Sequence, residues 1–164
     1  MANNDGSGRS MKIRRARRSD RDEWLRLRAL LWPEYSLKEH EEEMECFLKG
    51  RSKAVFVAAR QSSRLFGFVE ANIREFADAC DTQPVGYVEG WYVEPEMRRR
   101  GIGRRLVRAA EDWARQKGCV EMGSDCLLEN QMSREAHLAI GYEERERLIH
   151  FRKWLGRRRT RTPM

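Results

Sequence analysis

Between Val85 and Gly118 a strand signal, two closely spaced glycines and a long amphipathic stretch follow one another, and that order most restricts the fold. The segment "VGYVEGWYV" (85–93) is rich in β-branched and aromatic residues, which predicts a strand. From Gly101 onward Ile102, Leu106, Ala109, Ala110 and Trp113 recur at helical spacing on one face, and Gly118 ends the run. A strand that passes through a glycine turn into a helix belongs to layered folds of sheet and helices, not to a bundle or a sandwich.

The flanking segments agree. Met11–Ala16 reads as a short edge strand. Ser19, with Asp22 three residues on, resembles a capping box, and Trp24, Leu27, Leu30 and Leu31 then give a helix that Pro33 closes. Ser36 and Glu39 repeat the pattern ahead of a second helix carrying Met44, Phe47 and Leu48. "AVFVAAR" (54–60) and "RLFGFVEANIRE" (64–75) read as strands joined by the polar turn "QSS". Cys119–Cys126 reads as the next strand, 131–140 as a helix stopped by Gly141, and "YEERERLIHFRKWL" as one or two final strands. The expected class is α/β (α+β), with a flexible leader at 1–10, one domain at 11–155 and a basic disordered tail at 156–164.

Charge narrows the partners. The net charge of +7 and pI of about 9.6 favour anions such as phosphate ligands, a membrane surface or nucleic acid. Yet 34–45 holds six acids against one lysine, so an anion and a cation could be held side by side. Cys46, Cys80, Cys119 and Cys126 show no C-x-x-C spacing, and His40, His137 and His150 no helical pairing. No metal site is expected, and a reducing cytoplasm is. No apolar run approaches the roughly 18 residues of a membrane span.

Five arginines and two glycines stand among the nine residues of "RRRGIGRRL" (98–106). The stretch lacks the third glycine of a dinucleotide fingerprint and the Gly-Lys-Ser/Thr ending of a P-loop. What remains is Arg98-x-x-Gly101-x-Gly103 between a strand and a helix. Amides at a helix start face an anion, glycines permit close backbone approach, and arginines add charge.

The strand "EGWYVEPEMRRRGIG" followed by an amphipathic helix resembles the acetyl-CoA motif of the GNAT N-acetyltransferase superfamily, R/Q-x-x-G-x-G/A. The resemblance implies a mixed central sheet of about six to seven strands flanked by about four helices. It implies acetyl-CoA as co-substrate, held by Trp91, Tyr92 and Val93 along its arm and by Arg98, Arg99, Arg100, Gly101, Ile102, Gly103 and Arg104 at its diphosphate. Amides of that strand would polarise the thioester carbonyl. "LLEN" and "GYEE" resemble the family's second motif, which implies a cofactor contact for Asn130. His137 stands where the family often has a tyrosine general acid.

Four blocks in order, "LRALLWPEY", "VEGWYVEPEMRRRGIG", "KGCVEMGSDCLLEN" and "GYEERERLIHFRK", are similar to the aminoglycoside 6'-N-acetyltransferases. That similarity implies an antibiotic site lined by Trp32, Phe76, Glu89, Asp125 and Glu146, Asp125 as general base, direct transfer in a ternary complex and a homodimer. Phe76 lacks the hydroxyl often found near that position. A primary amine must lose a proton before attacking a thioester, and a polycation needs several carboxylates, so acids suit the task independently. Another amine acceptor, a polyamine or a protein N-terminus, fits the donor motif equally well. A nucleic-acid-binding protein fits less well, for no helix-turn-helix, zinc-finger or RNA-recognition motif is present.

Overall fold

The computed structural model describes residues 11–60 and 64–156. The leader expected at 1–10, the turn at 61–63 and residues 157–164 of the expected tail lie outside them. Two compact units part between Leu127 and Leu128.

The first unit is a five-stranded sheet with helices on both faces. Its strands β1 (Lys12–Arg15), β2 (Lys53–Ala59), β3 (Leu65–Arg74), β4 (Val85–Val93) and β5 (Met122–Ser124) lie side by side in chain order. Neighbours are antiparallel up to β4, whereas β4 and β5 are parallel. A parallel pair needs a crossover, and the amphipathic helix α3 (Ile102–Gln116) supplies it. Helices α1 (Arg21–Leu31) and α2 (Leu37–Lys49) join β1 to β2.

Alternation along β3 sorts the helices onto two faces. Phe68 belongs to a core with Trp24 and Leu27 of α1 and Met44 and Phe47 of α2. Its neighbour Gly67 points the other way, where a Cβ would lie 3.2 Å from Leu106 of α3. The α3 face buries Ile102, Leu106, Val107, Ala110, Trp113 and Ala114; the expected Ala109 sits at its half-buried margin.

Two helix starts were expected, and one moves. Ser36 caps α2 as expected, accepting from the Glu39 amide while the Glu39 carboxylate returns to Ser36. At α1 the cap is Asp20, not Ser19. The Asp20 carboxylate takes the Arg17 amide at 2.7 Å and both Arg14 terminal nitrogens at 2.6 and 2.8 Å, a charged tie to β1 that serine cannot make. The α1 stripe is also corrected. Trp24, Leu27 and Arg28 are buried, and Leu30 is exposed, because six residues from Trp24 carry it about 120° off the stripe.

Arg14, and then the Arg17 amide, hold the Asp20 carboxyl below the ordinary carboxylate range, against burial. A depressed native pKa adds stability above the unfolded value and loses it as pH falls through the native one. Asp20→Asn will therefore destabilise the protein by about 1–3 kcal/mol at pH 7. Urea melts at pH 7 and pH 3 check it: the gap to wild type must narrow at the lower pH, and a gap equal at both pH values rejects the ionic tie.

The second unit carries α4 (Gln131–Ala139). The one or two strands expected within 142–155 are absent among the described residues, which leaves five strands rather than six to seven. Leu148, Ile149, Phe151 and Leu155 are instead exposed. Apolar residues of this kind state that a segment suits a pleated, half-buried surface, but not that the chain offers it a partner strand. Among the described residues no helix is long and apolar enough to cross a membrane.

Candidate active site at the parting of two strands

The β4–β5 ladder joins only Gly86, Val88 and the Tyr87 between them to Met122–Ser124, so β4 beyond Val88 has no described strand on that side. On its other side β4 pairs with β3 through Glu70–Gly90 and then Ala71–Val88, which leaves Glu89 as an extra residue in a bulge. A bulge re-aims a side chain, and here Glu89 joins the wall of a cavity of about 360 Å3. Trp32, Tyr35, Glu43, Phe47 and Glu70 share that cavity.

Trp32 lies where α1 ends ahead of Pro33, with its ring over Gly90. A Cβ on Gly90 would be 2.6 Å from Trp32 Cζ2 and nearer still to Cη2, so only glycine admits this approach. Phe68 backs the same ring, centroids 6.2 Å apart. Glu70, 1% exposed, takes Arg28 at 2.5 and 2.6 Å and the Trp24 indole N–H at 2.8 Å. Burial pushes its carboxyl up to about 7, against the pull of Arg28 and Trp24.

Glu89 is engaged by Arg74, which donates through Nε at 3.1 Å and Nη2 at 2.6 Å. The Arg74 guanidinium also lies 3.4 Å over the Tyr87 ring. The Tyr87 phenol feels the charge of Asp125, just past β5. Burial first, and then the Asp125 charge, push the Tyr87 phenol up to about 12, so it remains a donor at neutral pH. Trp32 and Glu89 thus share one cavity, while Glu89 and Asp125 are joined through Arg74 and Tyr87. Phe76, 68% exposed in the bend after β3, does not line the cavity. Glu146 and Asn130 belong to the second unit. There the Asn130 side chain caps α4, accepting from the Ser133 amide at 3.0 Å. His137 Nδ1 lies 2.7 Å from the Ser133 carbonyl, which can only accept, so Nδ1 carries a proton. Its ring meets Tyr142 edge-on at 5.5 Å.

At the far end of β4 the arginine run divides. Arg98 donates to the Val93 carbonyl at 2.9 Å and lies 5.7 Å over Tyr92, tying the turn to the strand. Arg105 reaches the Met11 carbonyl at 2.9 Å. Arg99 and Gly101 take left-handed backbone, φ 58° and 72°, and Arg99, Arg100 and Arg104 are exposed around them. The first helical bond runs from the Arg105 amide to Gly101, so the amides ahead of it point out of the α3 N-terminus. Gly103 is needed for packing: a Cβ there would sit 2.6 Å from Trp91 Cζ2. The turn suits an anion, with positive helix end, left-handed loop and exposed guanidiniums together. Among the described residues no three His, Cys, Asp or Glu side chains are grouped to hold a metal.

Residues 24–142 match the model of the acetyltransferase (GNAT) family. The chain belongs to that family. Among its GNAT relatives are aminoglycoside N(6')-acetyltransferases type 1. That of Klebsiella aerogenes is 42% identical over 144 residues, 86% of this chain and 95% of the relative. That of Salmonella typhimurium is 39% identical over 144 residues, 87% and 99% of the two chains. The solved structure of the aminoglycoside N-acetyltransferase AAC(6')-Iy with CoA is 37% identical, with a TM-score of 0.86 over 90% of this chain and 97% of that one. AAC(6')-Iy with the bisubstrate analogue CoA-S-monomethyl-acetylneamine gives 0.84 over 88% and 99%.

Arg28, Glu70, Arg74 and Tyr87 are the site residues that sequence reasoning missed. A signal existed for one of them: Trp24, Arg28 and Trp32 are spaced by four, one stripe of a helix.

Proposed function

We propose that the protein transfers the acetyl group of acetyl-CoA to the 6'-amino group of aminoglycosides. The observation that carries this reading is the bulge at Glu89 where β4 leaves β5. It joins an aromatic wall, Trp32, to acids suited to a polycation, beside a strand edge that ends in an anion-binding turn. The relatives named above support the acceptor.

Acetyl-CoA supplies the activated acetyl group as a thioester. The turn 98–104 would hold its diphosphate, the Trp91–Val93 edge its arm, with amides there polarising the thioester carbonyl, and Asn130 would touch that arm. Glu89 and Glu146 would hold amino groups of the acceptor, Phe76 would border it, and Asp125 would take the proton that the attacking ammonium must shed. Transfer is direct within a ternary complex, without an acyl-enzyme. Residues 11–155 form one acetyltransferase domain, a reading that the family match over 24–142 supports. The reading includes a cytoplasmic homodimer, which the exposed apolar side chains of 148–155 support. Light scattering at the monomer mass would overturn the dimer.

Release of free CoA thiol with a panel of aminoglycosides, polyamines and a peptide N-terminus tests the function. Turnover should be confined to aminoglycosides bearing a 6'-amine. No turnover above blank with any of them, or preference in kcat/KM for another amine, overturns it.

A further inference from the structure

Arg28 is fully buried, and every nitrogen of its guanidinium is engaged. Nη1 donates to both Glu70 oxygens at 2.5 and 2.6 Å, Nη2 to Glu43, and Nε toward His40 Nδ1 at 3.4 Å. Glu70 in turn takes the Trp24 indole N–H. Stability does not account for such a pair: removing two charges from water is costly, and apolar replacements of buried pairs are often as stable or more so. The pair's outward contacts are the exposed Glu43 and Trp32. The guanidinium lies 4.7 Å from the Trp32 ring, on a side chain already backed by Phe68 and admitted by Gly90.

The geometry points to Arg28 and Glu70 as positioning residues: Glu70 orients the guanidinium, and the guanidinium fixes the Trp32 ring that walls the acceptor cavity. Trp24 and Glu70 leave Arg28 one orientation, and a planar guanidinium stacks where an ammonium cannot. The ring closes a helix just ahead of Pro33, where the backbone alone would leave it several rotamers. Its order therefore comes from what lies against it. The inference rests on the reading of this cavity as the acceptor site.

The test is steady-state kinetics of the full chain with a kanamycin-type acceptor, comparing wild type, the paired variant Arg28→Met with Glu70→Gln, Trp32→Ala and the triple variant. The introduced glutamine keeps an acceptor for Trp24, so both charges leave without orphaning the indole. The paired variant should raise the acceptor KM about tenfold, leave the acetyl-CoA KM within about twofold, and add nothing in the Trp32→Ala background. Arg28→Lys, which keeps the charge opposite Glu70 but not the plane, should reproduce the acceptor effect should the paired variant not fold. An unchanged acceptor KM in a folded variant, full rescue by lysine, or additivity with Trp32→Ala overturns the positioning role alone. A wild type that neither binds nor acetylates any aminoglycoside overturns the reading of the cavity and this inference with it.

Discussion

Asp125→Asn is expected to lower kcat by about 10²–10⁴-fold while the dissociation constant for acetyl-CoA stays unchanged. Asparagine keeps the shape of aspartate, so the side chain should hold its place. What it loses is the capacity to take a proton. An acceptor amine arrives mostly as ammonium near neutral pH, and no attack on a thioester occurs until it is deprotonated. As the proposed base, Asp125 would be needed in the chemical step more than in binding. The turn 98–104 proposed for the donor joins β4 to α3, whereas Asp125 follows β5, which is why cofactor affinity should not follow kcat. Single-turnover acetylation at saturating substrates, with a parallel titration of acetyl-CoA, checks both halves. A kcat equal to wild type rejects Asp125 as the base.

How far the sequence disclosed the fold depended on whether the information was local. The α3 face was legible because its apolar residues recur within one helix, and the α2 cap because Ser36 and Glu39 are three residues apart. The bulge was not legible. "VGYVEGWYV" declares a strand, but Glu89 becomes the extra residue only through the register of β4 on β3, a property of two segments. Glu70 was hidden for the same reason: it lies 42 residues from Arg28, and a lone acid within an apolar strand does not reveal its counter-charge. The segment after Tyr142 erred in the opposite direction, since its apolar residues suited a strand that the described chain does not pair. The arginine run misled by abundance. Arg98 and Arg105 spend hydrogen bonds on the scaffold, and the glycines at 101 and 103 shape the turn, one through left-handed backbone and the other through contact with Trp91.

Gly90→Val should reduce kcat/KM for the acceptor about 10²-fold, for a displacement of the order of an ångström at a substrate wall is enough to lose that much. Valine is a better strand residue than glycine, so the β4 ladder itself should not suffer. The added Cβ, however, falls within the Trp32 ring, which cannot remain where it is. Phe68 blocks retreat on one side and the Arg28 guanidinium on another, and neither can yield cheaply within a packed core. The ring must therefore swing into the cavity it now borders, and the space for the acceptor shrinks. The acetyl-CoA KM should stay near wild type, because Trp91 faces α3, on the opposite side of the sheet from Gly90. Adding Trp32→Ala to Gly90→Val removes the clash, so the double variant should fall only to the level of Trp32→Ala alone. A Gly90→Val enzyme with unaltered acceptor kinetics, or a double variant worse than both singles, would show that the Trp32 ring does not bound the acceptor site.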